Sequence, residues 1–225
     1  NETIAQMTRR SEKMYNQQRQ FIENASHELQ TPLAVCQNKL EFLAENTPCN
    51  EEQLQEIGQL HDTLRRAIQL NKSLLLLSRI ENGQFHETHD IDMNRLVRET
   101  TEDFNEIYEH KEIKILIKEE DQCAARMNDM LAHILVSNLV KNAMTHTPPG
   151  GEVTIDIKRN EILFSNTSDN PPLDPDRVFT RFYQSDYRRK DSTGLGLAIV
   201  KSIANFYRFN VEYFHDGRHN FRISL

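Results

Sequence analysis

The stretch that decides the fold is Ser26-His27-Glu28-Leu29-Gln30-Thr31-Pro32-Leu33, which lies inside a long amphipathic pattern. From residue 1 to about residue 46, apolar residues recur mostly at intervals of three and four, which predicts one stripe on a long helix. Residues 46–50 are predicted to form a turn, with Asn50 as the N-cap of a second helix.

The second helix carries its own apolar stripe from Leu54 to Ile80 and is expected to end at Asn82-Gly83, which tolerate a left-handed backbone. Two long helices joined by a short loop form an antiparallel hairpin, and a single hairpin leaves much of both stripes exposed. Pairing two hairpins buries both stripes, so residues 1–84 are predicted to form a homodimeric four-helix bundle. On periodicity alone, a coiled-coil linker without chemistry is the favoured alternative.

The residues around His27 supply chemistry that a passive linker does not need. A neutral imidazole can attack phosphorus through one ring nitrogen while the other carries the proton, and the adjacent Glu28 carboxylate can accept or orient that proton. Thr31 lies one helical turn further on, so its hydroxyl shares the face of His27. Pro32 stands inside the helical pattern, where a proline costs about 3 kcal/mol, and this cost points to a functional reason for its position.

The periodicity changes after residue 84. Residues 85–91 are polar and rich in histidine and are predicted to be a linker, followed by a second domain at 92–225. Its expected elements are helices at 93–110, 130–144, 175–182 and 195–207, strands at 113–118, 122–127, 152–158 and 161–165, and a hairpin over 210–225. Helices that alternate with hairpin-paired strands predict helices on one face of a mixed or antiparallel sheet.

The composition restricts the classes of function. The formal net charge is −7, so no basic surface for nucleic acid is expected, and no apolar run approaches the roughly 20 residues that span a bilayer. Because the first residue is Asn1 and no signal peptide is recognised, the chain is expected to be a fragment whose missing N-terminal region could include a membrane segment. Cys36, Cys49 and Cys123 match no zinc pattern and are expected to be free thiols in a reducing compartment.

Two further groups of residues suit a nucleotide. Asn138 and Asn142 are four residues apart on a predicted helix, so their amides share one face, and an amide oxygen is a suitable ligand for a Mg²⁺ that bridges phosphates. Gly194 and Gly196 precede another helix, where glycines let the backbone approach phosphates and exposed N–H groups attract anions. Taken alone, the asparagines also suit a solvent-facing position, and the glycines a loop cap.

In their order along the chain, these segments resemble the motif boxes of sensor histidine kinases. The stretch at 26–33 matches the H-box core S-H-E-L-x-T-P-L in full, and residues 138–143 resemble the N-box N-L-x-x-N-A. Residues 178–183 resemble the F-box, and residues 192–197 resemble the glycine box G-T-G-L-G-L with Ser192 in place of its first glycine. The order of the four boxes is far more specific than any one of them, and the resemblance covers nearly the whole chain.

The resemblance implies a helical hairpin followed by a Bergerat-type α/β-sandwich ATP-binding domain. It implies that His27 is phosphorylated by ATP and passes the phosphoryl group to an aspartate of a response regulator receiver domain, with Glu28 as the base. Thr31 would position water when the regulator is dephosphorylated. The implied nucleotide contacts are Asn138, Asn142, His146, Asn166, Thr193, Gly194, Leu195 and Gly196, with Asn142 also holding Mg²⁺. The fragment is expected to be cytoplasmic, and the full-length protein to be anchored in the bacterial inner membrane.

The sequence departs from the family pattern at the first glycine box, D-x-G-x-G. Residues 162–172 contain no glycine, and Asn166 stands where the family has the aspartate that accepts from the adenine amino group. The amide oxygen of Asn166 can still accept that bond without a charge, and Asp169 is the rival candidate. Thr145 and His146 also stand where family members commonly have lysine and tyrosine. The alternative to an active kinase is therefore a signalling module with weak or no kinase activity that acts mainly as a regulator phosphatase.

Overall fold

The computed structural model describes residues 6, 24–25, 28–184 and 193–225. The chain divides into two compact units, Asn1–Asn82 and Gly83–Leu225. The predicted phosphorylation site, His27, lies outside the described residues, as does most of the predicted helix before it.

The first unit is a pair of helices, α1 over residues 28–46 and α2 over Glu51–Glu81. The turn between them ends in a capping box, in which the Gln53 N–H donates to Asn50 Oδ1 (2.8 Å) and the Asn50 N–H donates to Gln53 Oε1 (3.0 Å). The C-cap of α2 is Asn82, and the next residue, Gly83, has a φ of 67°. Both predicted helix boundaries are therefore confirmed.

Large apolar side chains of this unit stay exposed in a single chain. Phe42 on α1 is 64% exposed and Leu60 on α2 is 54% exposed. Among the described residues of the unit, Leu29, Val35, Leu43 and Leu54 are also exposed. Exposure of this much apolar surface to water is unfavourable. Pairing with a second hairpin would bury these side chains.

The second unit begins with a two-stranded ribbon and a helix. Strand β1 (His89–Asp92) pairs antiparallel with β3 (Ala124–Met127), and α3 (Met93–Ile107) follows β1 directly. The Asp92 carboxylate accepts from the Arg95 N–H (3.1 Å) and caps α3. A 3₁₀ turn at Glu109–Lys111 leads into β2 (Lys114–Glu119), and α4 (Asp129–His146) follows β3.

A five-stranded mixed sheet forms the rest of this unit. Its strands are β2, β4 (Glu152–Lys158), β5 (Glu161–Asn166), β6 (Asn210–His215) and β7 (His219–Ser224), in the order β2-β4-β5-β7-β6. β2 and β4 are parallel and the other pairs are antiparallel. Helix α5 (Gly196–Tyr207) contacts β6 and α4, and α4 also contacts β5. The buried side chains of the central strands include Val153, Ile155, Ile157, Ile162, Phe164, Phe221 and Ile223. The prediction of helices against a mixed sheet is confirmed.

Two of the predicted segments differ from the structure. The predicted linker at 85–91 includes residues that belong to β1, which was missed because His89–Asp92 contains a single apolar residue and no alternation. The predicted helix at 175–182 is a series of turns, in which the Val178 N–H donates to the Asp174 carbonyl (2.9 Å). The Asp174 carboxylate accepts from the Asp176 N–H (3.0 Å), and such local side-chain bonds compete with a helix. Among the described residues, no helix is both long and apolar enough to cross a membrane.

Candidate functional site

The predicted N-box and glycine box meet where α4 passes the start of α5. Asn138 on α4 donates from Nδ2 to the Ile134 carbonyl (2.7 Å), and this bond directs its Oδ1 toward Gly196, the first residue of α5. A Cβ atom at position 196 would lie 2.7 Å from Asn138 Oδ1. Glycine is therefore required at 196, because any side chain would displace the asparagine carboxamide.

Asn142 lies one turn beyond Asn138 on α4, and the i, i+4 spacing puts both on one face of the helix. Its side chain is half-exposed, and its carboxamide forms no hydrogen bond with any residue that the structure describes. A half-exposed amide whose oxygen is not engaged by the protein is well suited to a ligand. Because Mg²⁺ prefers oxygen ligands and usually keeps several waters, one amide together with substrate phosphates matches its requirements.

The glycine box is held by the segment that carries the F-box. Gly194 has a φ of 68°, and a Cβ there would lie 2.9 Å from Phe182 Cα. The Phe182 N–H donates to the Gly194 carbonyl (2.9 Å), although the φ of Phe182 is 62°, a conformation that costs about 1–2 kcal/mol for a residue other than glycine. The hydrogen bond from Phe182 to Gly194 therefore joins the F-box to the glycine box, which are separated in the chain by residues 185–192.

The N-terminus of α5 offers hydrogen-bond donors. Its N-cap residue is Leu195, which is buried and has no polar side chain to accept from the first N–H groups of the helix. Thr193 and Gly194 precede it and are half-buried. Free N–H groups and the helix dipole make such a terminus attractive to anions such as phosphate.

Asn166 lies at the end of β5, opposite Val153 on β4 and His219 on β7. It is 1% exposed, its Nδ2 donates to the Thr167 carbonyl (3.0 Å), and its Oδ1 accepts no hydrogen bond from the described residues. Because Asn166 Oδ1 keeps some contact with solvent and has no protein donor, a ligand that donates a hydrogen bond can reach it. The rival Asp169 is exposed in the following loop.

Lys111 binds the C-terminal end of α4, a contact that was not predicted from the sequence. Lys111 is 7% exposed, and its Nζ donates to the carbonyls of Met144 (2.7 Å), Thr145 (2.9 Å) and Thr147 (2.9 Å). These carbonyls lack helical partners at a helix C-terminus, where a positive charge is also favourable. The Tyr108 hydroxyl and Thr145 Oγ1 are 2.7 Å apart, so the Thr145 hydroxyl forms a hydrogen bond within the protein. His146, the last residue of α4, is half-exposed.

The H-box residues that the structure describes belong to the first unit. Glu28 and Thr31 lie on α1, and both are exposed. Ser26 and His27, which precede Glu28, lie outside the described residues. The predicted phosphorylation residues and the predicted nucleotide contacts are thus carried by different units.

Comparison with known protein families identifies both units. Residues 17–83 match the His Kinase A (phospho-acceptor) domain, and residues 127–225 match the family described as histidine kinase-, DNA gyrase B-, and HSP90-like ATPase. The chain belongs to the sensor histidine kinases. The family and the fold class expected from the sequence are therefore confirmed, including an ATP-binding domain of this type.

Relatives of this sensor histidine kinase include sensor histidine kinase TrcS from Mycobacterium tuberculosis, 36% identical over 210 residues. That match covers 86% of this chain and 40% of TrcS. Heme sensor protein HssS from Staphylococcus aureus strain Newman is 30% identical over 199 residues, which cover 86% of this chain and 43% of HssS. The chain thus spans about two fifths of the length of these curated relatives.

Solved structures confirm the fold of this kinase at low sequence identity. Full-length ShkA in complex with AMPPNP superposes with a TM-score of 0.73 and 22% identity, over 91% of this chain and 45% of ShkA. The Acinetobacter baumannii histidine kinase AdeS superposes with a TM-score of 0.60 and 18% identity, over 88% of this chain and 96% of AdeS.

Proposed function

We propose that this chain transfers the γ-phosphoryl group of ATP to His27 and then to an aspartate of a response regulator receiver domain. The observation that carries the proposal is the contact of Asn138 with Gly196, because it joins the N-box and the glycine box in one place. Each box alone has an ordinary structural interpretation. Their juxtaposition, in a chain that also contains the H-box, favours a phosphoryl-transfer site.

The bound ATP would lie along the residues that remain without protein partners. The N–H groups at the start of α5, around Leu195 and Gly196, would donate to the phosphates. Asn166 Oδ1 would accept from the adenine amino group at the opposite end of the nucleotide. A neutral acceptor makes a weaker bond than a carboxylate, since charge-assisted hydrogen bonds are roughly twice as strong, so the affinity for ATP is expected to be modest.

Mg²⁺ is proposed to be held by Asn142 together with the phosphates and water. The support is the half-exposed Asn142 carboxamide, which has no hydrogen-bond partner among the described residues. When bound, the ion supplies positive charge that neutralises the β- and γ-phosphate oxygens. The protein's contribution is to orient the phosphates with the N–H groups of α5, so that the γ-phosphate can be presented to His27.

At the phosphorylation site, the proposed roles follow from chemistry. His27 attacks the γ-phosphorus through one ring nitrogen, and Glu28 accepts or orients the proton on the other. The leaving group is ADP. The phosphoryl group then passes to the carboxylate of a receiver-domain aspartate, which restores His27. We also propose that the chain is a homodimer through its first unit and that the complete protein is anchored in the inner membrane.

The test is incubation with γ-labelled ATP and Mg²⁺, followed by exposure of the labelled protein to acid. We expect acid-labile label in the parent and none in His27→Gln, with ADP binding unchanged in that variant because the nucleotide contacts lie in the other unit. The matched control is His61→Gln, another histidine of the hairpin, which should label like the parent. Label at the parental level in His27→Gln would contradict the assignment.

A second candidate function is dephosphorylation of the regulator. It is favoured by the exposure of Thr31 on α1, where its hydroxyl can hydrogen-bond an attacking water, and by the absence of glycine from residues 162–172. Thr31→Ala should then slow the loss of phosphate from the regulator more than it slows the labelling of His27, with Thr47→Ala as the matched control. If both rates fall equally, Thr31 has no separate role in the phosphatase reaction.

A further inference from the structure

Partly buried hydrogen bonds link β6 and β7 to the segment that follows Asn166. His219 on β7 is directly opposite Asn166 on β5, so the two side chains lie on the same face of the sheet. The His219 side chain is 3% exposed, and its Nδ1 lies 2.8 Å from the Tyr213 hydroxyl on β6. Its other nitrogen, Nε2, lies 3.3 Å from the carbonyl oxygen of Asn170.

The hydrogen-bond partners of the His219 ring indicate which of its nitrogens carries a proton. The Asn170 carbonyl can only accept, so Nε2 carries a proton and donates to it. In a neutral ring with its proton on Nε2, Nδ1 is an acceptor, and the Tyr213 hydroxyl can donate to Nδ1 while it accepts from the Leu173 N–H (3.0 Å). Both arrangements are satisfied together by a neutral His219. A second proton on the ring would leave the Tyr213 hydroxyl proton without an acceptor.

The surroundings also favour the neutral ring. Burial lowers the pKa of His219, the hydrogen bond to the Asn170 carbonyl acts in the opposite direction, and the charge of His215 adds to the lowering. The His215 ring centroid lies 5.0 Å away on β6. Tyr213, which is also titratable, stacks on the ring at a centroid distance of 5.8 Å.

The segment held in this way leads from the proposed adenine contact to the glycine box. Its Asn170 carbonyl and its Leu173 N–H are fixed by His219 and Tyr213, and the Asp174 N–H donates to the Tyr183 hydroxyl (3.2 Å). Tyr183 follows Phe182, whose N–H is bonded to the Gly194 carbonyl. The sequence has no glycine between 162 and 172, so hydrogen bonds to the sheet set the course of this segment.

We propose that His219 is a positioning residue for the adenine side of the nucleotide site, acting through Tyr213 and Asn170 on the segment beside Asn166. The inference rests on the proposed function, because it takes Asn166 as the adenine contact. Loss of these hydrogen bonds would let the backbone at 170–173 move. This segment is proposed to lie beside the adenine base, so the base would be held less firmly. The effect falls on ATP and ADP alike, since adenine is common to both, and leaves the requirement for Mg²⁺ unchanged.

The experiment is calorimetric titration of the full chain with ADP and with ATP. His219→Phe keeps a ring of similar size but forms neither hydrogen bond, and it should weaken both nucleotides by about tenfold. Tyr213→Phe removes only the hydroxyl and should act in the same direction. His219→Gln retains a neutral donor for the Asn170 carbonyl and should restore most of the affinity. The matched control is His133→Phe, an exposed histidine on α4, which should bind as the parent does.

The pH profile distinguishes positioning from general stability. As pH falls from about 7 to about 5.5, the parent should lose more ADP affinity than His219→Gln does, because only the parent has an imidazole to protonate. If the parent binds ADP and both His219→Phe and Tyr213→Phe bind it equally well across this range, the positioning role is overturned and the proposed function stands. If the parent binds no nucleotide, the proposed function fails and the positioning role fails with it.

Discussion

Replacement of Gly196 by alanine should separate nucleotide binding from stability. The added Cβ would lie 2.7 Å from Asn138 Oδ1, well inside the 3.4 Å at which ordinary contacts begin, so the carboxamide must move. Its movement breaks or strains the 2.7 Å hydrogen bond to the Ile134 carbonyl, a loss of about 1 kcal/mol. Alanine in place of glycine gains at most about 1 kcal/mol of helix propensity. The free energy of unfolding should therefore change by no more than about 1 kcal/mol.

The affinity for nucleotide should change much more. The added methyl group disturbs Asn138 and the backbone N–H groups at the start of α5, where the phosphates are proposed to bind. Hydrogen bonds to charged groups contribute about 1.5–3 kcal/mol, which corresponds to about 10- to 100-fold weaker binding of ADP with Mg²⁺. Titration calorimetry measures the affinity, and urea unfolding measures the stability.

Gly58 provides the matched control for this substitution. It lies within α2, and a Cβ there would meet nothing within 4 Å. Gly58→Ala should stabilise the hairpin by up to about 1 kcal/mol and leave ADP binding unchanged. Binding of ADP by Gly196→Ala at the parental affinity would refute the reasoning that the contact between Asn138 and Gly196 forms the phosphate end of the site.

The remaining predictions concern stability and assembly. Lys111→Met should lower the free energy of unfolding by about 2–3 kcal/mol, because three carbonyls at the end of α4 lose their donor; a change below about 0.5 kcal/mol in urea unfolding would contradict this. Sedimentation velocity at micromolar concentration should give a dimer, because Phe42 and Leu60 are exposed in a single chain; a monomer would contradict the four-helix bundle. Because burial lowers the pKa of His219 in the folded state, the unfolded state binds more protons below about pH 6.5, and stability should fall there by at most about 1.4 kcal/mol per pH unit. His219→Gln should remove this contribution, and an identical pH dependence of unfolding in the two proteins would count against it.

Local signals in the sequence were sufficient for much of the fold. The hairpin was predicted because Asn50 is a strong N-cap before a regular apolar stripe, and the capping box with Gln53 confirms it. The hairpin over residues 210–225 was predicted, and β6 and β7 form it, with Gly217 at a φ of 97° in the turn between them. Such features depend on neighbouring residues only.

Features that depend on distant residues were not predictable in the same way. β1 is a strand because it pairs with β3, more than thirty residues later, and its four residues carry no pattern of their own. Lys111 reaches carbonyls about as far away along the chain, and no motif marks it. The hydrogen bond of His219 to Asn170 joins residues 49 positions apart and depends on the pairing of β7 with β5, which the sequence did not specify.

The candidate site was predictable to the extent that its motifs are local. The spacing of Asn138 and Asn142 placed them on one helix face, but the distance from Asn138 to Gly196 depends on how α4 packs against α5. The role of Asn166 remained open because its motif lacks glycine. Asn166 Oδ1 accepts no hydrogen bond from the described residues, and Asp169 is exposed, so the structure favours Asn166, although the adenine contact remains a prediction.

Mapping the phosphorylated residue tests the assignment of His27 most directly. The chain is incubated with ATP and Mg²⁺, digested at neutral to alkaline pH so that phosphohistidine survives, and its peptides are sequenced by mass spectrometry. We expect the mass of one phosphoryl group on His27, absent when ADP replaces ATP. A phosphoryl group found on another residue, or an unmodified His27 peptide in a protein that binds ATP, would contradict it.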